Sequence, residues 1–490
     1  MKELCSHSER ALCVDPLNPC EPIGCMYAAF GLHRGLPLSH GASGCCRFQR
    51  MEIAKHFDRV VHVPSTMLRD HAAAFGGKAE LTEAVGNVFR LYDPDVLVVG
   101  TTCMTETMGE DMAGMVAEIE VPAGKRLVWA STPGYSGSHL AGYDATVAAI
   151  VRQLGGAVGA SGARGELGGR LCLIPGWVNP CDVDLMARYA EAFFGRVTVL
   201  PDVRGVFDEL PSGDPRAYAP GGTPLDEVET LAECTAALGL GHDATHLAVA
   251  AAEEVGAGQS VDATSPQVAR TARCETLPIG IGLTDAFVAA LSELSGVPAP
   301  AWLARQRTRL VDALARVEAQ LYGKRVLVCC DADMAVGLAA FAYDMGMVPV
   351  CVATGDADPG FEERLRAATG GLDGCRVLAG TDRLTVEQAM TATDGIGSAD
   401  GTGDAGGIGE AEGARVDLVL GDTRNKRMAA RLGAPLVRVG FPVVDRPLSY
   451  LQPIVCYEGA LDLLRRIAGA LLDFSERDQA PEDLAIHRFF

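Results

Sequence analysis

The chain has 490 residues, of which 48% are hydrophobic and 21% are charged, and its net charge at pH 7 is −21. This length exceeds what one hydrophobic core usually serves, so two to three domains are expected. The negative charge argues against a nucleic-acid partner, because binding to phosphates depends on Lys and Arg. The sequence shows neither a long apolar run nor a signal-peptide core at its start, which predicts a cytoplasmic protein without a membrane span.

Short apolar runs rich in Val, Ile and Leu alternate with amphipathic stretches along the chain. Such runs are typical of buried parallel strands, and their alternation with helices predicts an α/β fold. The predicted strands are, in chain order, Asp95–Gly100, Arg126–Ala130, Arg170–Ile174, Arg196–Leu200, Arg325–Cys330, Val348–Ala353 and Val416–Gly421. The predicted helices are Lys78–Leu91, Tyr143–Leu154, Pro300–Leu321 and Met334–Met345.

The pattern repeats in three blocks, which predict three Rossmann-like domains with mainly parallel sheets. Their expected ranges are residues 1–160, 161–320 and 321–490. A Gly-rich stretch, residues 395–413, interrupts the third block. No apolar strand precedes it and no Lys follows as in a phosphate-binding loop, so a flexible acidic surface loop is predicted there.

The chain contains 16 cysteines. The cytoplasm keeps thiols reduced, so these residues do not indicate a disulfide framework. Several of them lie in or beside apolar runs and are predicted to be buried structural thiols: Cys172, Cys234, Cys329, Cys330 and Cys351.

Three cysteines of the N-terminal block lie in a different context. Cys20 is in a turn-rich segment, Cys45 follows a loop of small residues, and Cys103 comes where a predicted strand ends. Ligand sites of open α/β sheets lie beyond the carboxyl ends of the strands. The gaps of 25 and 58 residues match no compact zinc or ferredoxin motif, so metal ligands and buried thiols both stay open on the residues alone. Three thiolates fall short of the usual four for a cubane, which favours a cluster at a subunit interface.

A series of motifs in the first 145 residues resembles the β subunit of the nitrogenase catalytic component. Weaker similarity continues towards the end, at Val439–Arg446 and Tyr457–Gly459. The N-terminal motifs, in order, are Cys20-Glu-Pro-Ile-Gly, His40-Gly-Ala-Ser-Gly-Cys45, Arg50 with His56-Phe57, Ala74-Phe75-Gly-Gly77, Thr101-Thr-Cys103 with Glu106 and Gly109-Glu-Asp111, and Thr132-Pro-Gly-Tyr-Ser-Gly-Ser-His139.

This resemblance implies that Cys20, Cys45 and Cys103 are the β-side ligands of a P-type [8Fe–7S] cluster shared with an α-type subunit. The cluster would relay electrons from an ATP-hydrolysing iron protein to a metallocluster in the α-type chain, within an α2β2 heterotetramer. No catalytic residue is predicted on this chain. Phe75 falls where the family places an aromatic residue on the iron-protein docking face, and an ordinary packed aromatic is the alternative.

The chain also departs from the family pattern. Gly134 stands where the family has a serine that can add a ligand to the oxidised cluster, so that ligation should be absent. Glu21 replaces a glutamine, and Asp58-Arg59 replaces an Arg-Glu pair that contributes to an accessory metal site in the family. The presence of Cys46 beside Cys45 resembles vanadium-type β chains. Cys46 itself is expected to point away from the cluster.

Other polar residues of the motifs have two interpretations each. His40 and His139 could tune a cluster by hydrogen bonds or serve as satisfied structural histidines. Glu106, Glu110 and Asp111 could form a proton path, or they could be solvated carboxylates at the starts of helices.

The resemblance leads to three hypotheses about function. The first is the β-type subunit of a nitrogenase-like reductase, and the departures favour a methylthio-alkane reductase over a molybdenum- or vanadium-type nitrogenase. The second is a scaffold for assembly of the nitrogenase cofactor, and such scaffolds generally lack the full cysteine trio. The third is a plain binding protein with buried thiols.

Overall fold

The computed structural model describes residues 13–156, 168–209, 218–257, 271–391 and 415–477. The chain forms two compact units. The larger unit comprises Asn18–Asp312 and Phe441–Leu463, and the smaller unit comprises Met1–Leu17, Ala313–Gly440 and Leu464–Phe490. Among the described residues, no helix combines the length and the apolar character that crossing a membrane requires.

The first sheet of the larger unit has three parallel strands in the order β1–β2–β3: β1 (Gly35–His40), β2 (Val96–Thr101) and β3 (Arg126–Ala130). Seven helices accompany it: α1 (Glu21–Phe30), α2 (Ser43–His56), α3 (Asp70–Phe75), α4 (Lys78–Tyr92), α5 (Cys103–Met108), α6 (Met112–Ala117) and α7 (His139–Leu154). All six residues of β1 and of β2 are buried, as expected of parallel strands covered on both faces. Apolar residues of α4 and α6 form a core with the strands: Leu36, Leu38, Leu81, Val85, Val88, Phe89, Leu97, Val99, Met112 and Met115.

The second sheet of the larger unit is also parallel and has the order β5–β4–β6–β7. Its strands are β4 (Arg170–Ile174), β5 (Arg196–Val199), β6 (Ala236–Leu240) and β7 (Thr271–Glu275). The helices of this part are α8 (Pro180–Glu191), α9 (Leu225–Glu229), α10 (His242–Ala257) and α11 (Gly282–Ser295), with a 3₁₀ turn at Leu231–Glu233.

The third sheet lies in the smaller unit and has five parallel strands in the order β10–β9–β8–β11–β12. After the helix α12 (Ala301–Leu321), its strands are β8 (Arg325–Cys329), β9 (Val348–Ala353), β10 (Arg376–Leu378), β11 (Leu418–Gly421) and β12 (Leu436–Arg438). The remaining helices are α13 (Ala332–Asp344), α14 (Phe361–Thr369), α15 (Arg383–Thr391), α16 (Lys426–Arg431) and α17 (Cys456–Glu476), with 3₁₀ turns at Thr423–Asn425 and Ser449–Leu451.

The predicted fold class, α/β with parallel sheets, is confirmed. Each of the seven predicted strands overlaps an observed strand, and the four predicted helices correspond to α4, α7, α12 and α13. The five cysteines expected to be structural are buried. The division into three domains stays a prediction, and the Gly-rich stretch 395–413 lies outside the described residues.

Two glycines let α1 and α7 touch through their backbones. A Cβ on Gly24 would lie 2.0 Å from the carbonyl oxygen of His139, and a Cβ on Gly142 would lie 2.0 Å from that of Glu21. Real Cβ atoms do not approach oxygen so closely, so only glycine fits at these two positions. This contact determines where α1 begins, and therefore where Cys20 lies.

We expect Gly142→Ala to lower the free energy of unfolding by about 3 kcal/mol, because the new methyl group forces α1 away from α7. The matched control is Gly86→Ala on α4, where an added Cβ has open space and the position is exposed. That variant is expected to raise stability by about 0.5–1 kcal/mol, because alanine loses less chain entropy on folding than glycine. Urea denaturation measures the free energy of unfolding of both variants. Equal values for the two variants would contradict the backbone contact.

Candidate metal centre

The carboxyl ends of β1 and β2 lie side by side. In the parallel register, His40 at the end of β1 pairs with Thr101 at the end of β2. Cys45 lies in the first turn of α2, shortly after β1 ends, and Cys103 is the first residue of α5, two residues after the end of β2. The two cysteines therefore follow neighbouring strands at the edge of the sheet where open α/β folds bind their ligands.

Cys20 belongs to a different segment, which does not follow a strand of this sheet. It immediately precedes α1 and forms an isolated antiparallel bridge with Ser138, and the neighbouring Pro19 carbonyl accepts the backbone N–H of His139 at 3.0 Å. The segment that contains Gly134 passes between the cysteines. A Cβ on Gly134 would lie 3.3 Å from Cys103 Sγ and 3.7 Å from Cys20 Sγ, so the two sulfur atoms are at most 7.0 Å apart.

The other two thiols affect Cys20 electrostatically. Burial raises the pKa of Cys20, and negative charge on Cys103 and Cys45 acts in the same direction, whereas a hydrogen bond from Gln49 opposes them. Cys45 and Cys103 are exposed and Cys20 is partly buried. Since metal ligation needs thiolates, a bound cation would stabilise the charged form of Cys20 that burial disfavours.

The arrangement suits an extended cluster better than a single ion. Within the ranges that the structure describes, no three His, Cys, Asp or Glu side chains converge on a point that could hold one metal ion. A polynuclear iron–sulfur cluster does not need such convergence, because its cysteine ligands bind different iron atoms. A Cβ on Gly134 would lie 2.9 Å from Cys20 Cβ, so a larger residue at this position would crowd the two cysteines.

His40 holds the cysteine-bearing segments in place. Its ring is buried, with Nε2 2.7 Å from Glu110 Oε2 and Nδ1 3.1 Å from Thr66 Oγ1. Its carbonyl oxygen accepts the hydroxyl groups of Thr102 at 3.0 Å and Thr105 at 3.3 Å, which flank Cys103. Both ring nitrogens of His40 have protein partners, which favours the structural interpretation of this histidine.

Two carboxylates lie close to the cysteines. Glu21 follows Cys20, and Glu106 is one turn beyond Cys103 and accepts the hydroxyl groups of Thr101 and Ser131, each at 2.5 Å. Burial raises the pKa of Glu21 to about 7, the charge of Glu106 acts in the same direction, and a backbone N–H of Gly137 opposes it. Glu21 is therefore about half protonated near neutral pH, which the sequence alone did not predict.

The other candidate residues fall into distinct environments. The thiol of Cys46 is buried and donates to the carbonyl of Val63 at 3.4 Å, away from the exposed Cys45. The ring of His139 packs edge-on against Trp177 at 4.7 Å. Asp111 caps α6 by accepting the backbone N–H of Gly114, as expected of a helix-start carboxylate.

Phe75, the last residue of α3, is 79% exposed, and its ring lies 4.8 Å from that of His71. Within this chain the ring of Phe75 is therefore not packed in a core. Its expected role in docking stays a prediction.

Gln49 is the residue of the site that the sequence analysis missed. It lies one helical turn beyond Cys45 on α2, is 2% exposed, and its Nε2 donates to Cys20 Sγ at 3.9 Å. Its Oε1 is buried without a hydrogen-bond partner among the described residues. The four-residue spacing from Cys45 was the available signal, but it carries no information about Cys20, which belongs to another segment.

The sequence matches the family described as "Nitrogenase component 1 type Oxidoreductase" over residues 20–394 and 409–472. The nitrogenase molybdenum-iron protein beta chain of Clostridium pasteurianum is 32% identical over 485 residues, covering 98% of this chain and 97% of that protein. The corresponding chain of Bradyrhizobium diazoefficiens is 30% identical over 477 residues, with 95% and 85% covered.

One solved structure points to the same family, and a second shows the same fold. "Nitrogenase Cp1 at pH 6.5" superposes with a TM-score of 0.86 at 31% identity, covering 99% of this chain and 98% of that one. A chain of "Nitrogenase Cp1 at pH 5" has a TM-score of 0.67 at 14% identity, covers 98% of this chain and 94% of its own, and shows a shared fold. The predicted family is thereby confirmed. The chain belongs to the nitrogenase component 1 type oxidoreductases, as a β-subunit-like member of an oxidoreductase complex.

Proposed function

We propose that this chain is the β-type subunit of a cytoplasmic, ATP-dependent, nitrogenase-like reductase in which Cys20, Cys45 and Cys103 hold one side of a P-type [8Fe–7S] cluster. The observation that carries the proposal is the meeting of three cysteines, from three separate segments, at the carboxyl edge of the first sheet. A family whose relatives are named as iron-containing proteins supports an iron–sulfur group at this place.

Each residue of the site has a definite task in this proposal. The cysteines bind iron as thiolates, the amide of Gln49 donates to the sulfur of Cys20, and the His40 carbonyl fixes the start of α5. When bound, the cluster supplies one-electron transfer between an iron protein and a metallocluster of the α-type subunit.

The exposed sulfurs of Cys45 and Cys103 support a cluster shared with a second chain. Three thiolates do not complete the ligand set of such a cluster, so an α-type subunit would supply the rest, in an α2β2 assembly. The exposed ring of Phe75 suits a surface for the iron protein, because large exposed aromatics are typical of binding sites.

Two substrates are candidates for the complex. The replacements at Gly134 and Glu21 beside the cysteines favour reductive C–S cleavage of methylthio-alkanes over dinitrogen reduction. The names of the relatives favour dinitrogen reduction by a molybdenum-type nitrogenase, with a vanadium-type enzyme as a further alternative. A cofactor-assembly scaffold is disfavoured, because all three cysteines are present.

The substrate is tested on the complex purified anaerobically with its α-type partner, supplied with the iron protein and ATP. We expect release of a hydrocarbon and a thiol from a methylthio-alkane, measured by gas chromatography, and no ammonia under dinitrogen. Ammonia formation without hydrocarbon release would overturn the choice of substrate while leaving the electron-relay proposal intact.

Cys103→Ala is expected to abolish the shared cluster, because it removes the thiolate at the start of α5. Iron counting and Mössbauer spectroscopy of the purified complex measure the loss. Cys46→Ala is the matched control, since the thiol of Cys46 faces Val63 and its removal should leave the iron content unchanged. Full cluster spectra in the Cys103 variant would refute the ligand assignment.

Gln49→Leu is expected to make the midpoint potential of the cluster more negative. An N–H donor to a thiolate stabilises the more negatively charged, reduced state, so its removal favours the oxidised state. A redox titration followed by EPR measures the shift, and Gln388→Leu, at an exposed position of α15, serves as the control. A potential that is equal in both variants would argue against the hydrogen bond to Cys20.

A further inference from the structure

Two histidines lie on one face of α10, in the sequence His242-Asp-Ala-Thr-His246 at the start of the helix. Residues four apart lie on the same side of an α-helix. The two rings are stacked with their centroids 5.2 Å apart and their planes 10° from parallel, and 45% of each side chain is exposed. Two histidines at this spacing on a helix are a recurrent way to bind a transition metal.

A buried carboxylate orients the second histidine. Asp144 on α7 is fully buried, and its Oδ2 lies 2.9 Å from His246 Nδ1. Asp144 also accepts the backbone N–H groups of Leu247 and Ala248, each at 2.8 Å, so its position is set independently of the histidine. Because Nδ1 contacts the carboxylate, Nε2 is the nitrogen that faces outward. Histidines that bind a metal through one nitrogen commonly donate the N–H of the other to a carboxylate in this way.

The first histidine is also turned with one nitrogen inward. His242 Nδ1 is buried, has no hydrogen-bond partner among the described residues, and lies 3.8 Å from Asp243 Oδ1. Its exposed side is therefore the Nε2 side, as in His246. The carboxylates of Asp144 and Asp243 put negative charge behind both rings, which favours a cation in front of them.

We propose that His242 and His246 bind a divalent cation of the Zn²⁺ and Ni²⁺ class through their Nε2 atoms, with Asp144 as the positioning residue. None of these residues takes part in the cysteine site, so this binding does not depend on the proposed function. Imidazole nitrogen is a preferred ligand of these ions, and water fills the remaining coordination positions. The N–H at Nδ1 of His246 donates to the carboxylate of Asp144, and this hydrogen bond raises the pKa of His246 to about 9.

The experiment is a calorimetric titration of the untagged, anaerobically purified complex with Zn²⁺. The variants are His242→Gln, which leaves the contact between Asp144 and His246 in place, and His246→Gln. His62→Gln is the matched control, because His62 is exposed and has no histidine one turn away. Cysteine thiols contribute the same background in every variant, so the difference between variants reports on α10.

We expect each α10 variant to lose one Zn²⁺ equivalent per chain and the control to lose none. Zn²⁺ should also raise the melting temperature of the native complex and of the His62 variant, because the ion binds the folded state. It should leave the melting temperature of the two α10 variants unchanged. Identical Zn²⁺ stoichiometry in the native complex and in His242→Gln would overturn the proposal.

Discussion

The parallel pairing of β1 with β2 is the constraint on which the arrangement of the site depends. Because His40 is paired with Thr101, the chain leaves both strands at the same level of the sheet. Side chains in a strand alternate between faces, so a slip by one residue would move Leu36 and Leu38 to the opposite face of the sheet and break their core contacts. The burial of both strands thus determines the register, and the register determines that Cys45 and Cys103 are neighbours.

The third cysteine depends on a different kind of contact. Cys20 precedes α1, and α1 is located by its close backbone contact with α7, at Gly24 of α1 and Gly142 of α7. Helices in such contact have little freedom to slide, since a side chain can move aside by changing its rotamer and a backbone atom cannot. The site is therefore rigid for two independent reasons: strand pairing for two cysteines and helix packing for the third. Rigid placement of metal ligands lowers the cost of holding a cluster in one geometry.

Much of the fold could be predicted because long apolar runs are specific for buried parallel strands. The runs at Asp95–Gly100 and Val348–Ala353 became β2 and β9, nearly to the residue. Strand β1 was missed because Gly35, Pro37 and Ser39 interrupt its apolar pattern. Strand β6 was missed because its sequence, Ala-Ala-Leu-Gly-Leu, has low strand propensity.

The site was predictable only in part, and for a physical reason. The cysteines were found through motifs, whereas the contact of Gln49 with Cys20 arises from the packing of α2 beside α1, which no local pattern encodes. The raised pKa of Glu21 likewise depends on burial and on Glu106, a residue from a distant part of the sequence. Residues that are neighbours only in the folded structure modify the properties of a metal site beyond what its ligands determine.

The exposure of Cys45 and Cys103 has a consequence for how such a chain matures. Accessible thiols are the first to be oxidised to sulfenic acid or captured in mixed disulfides, whereas the buried thiols of the sheets are protected. In the proposed complex, both cysteines stay open to oxidants until iron or a second chain covers them. Cluster assembly on this chain would then need the exclusion of dioxygen from the moment of folding, before any electron is transferred.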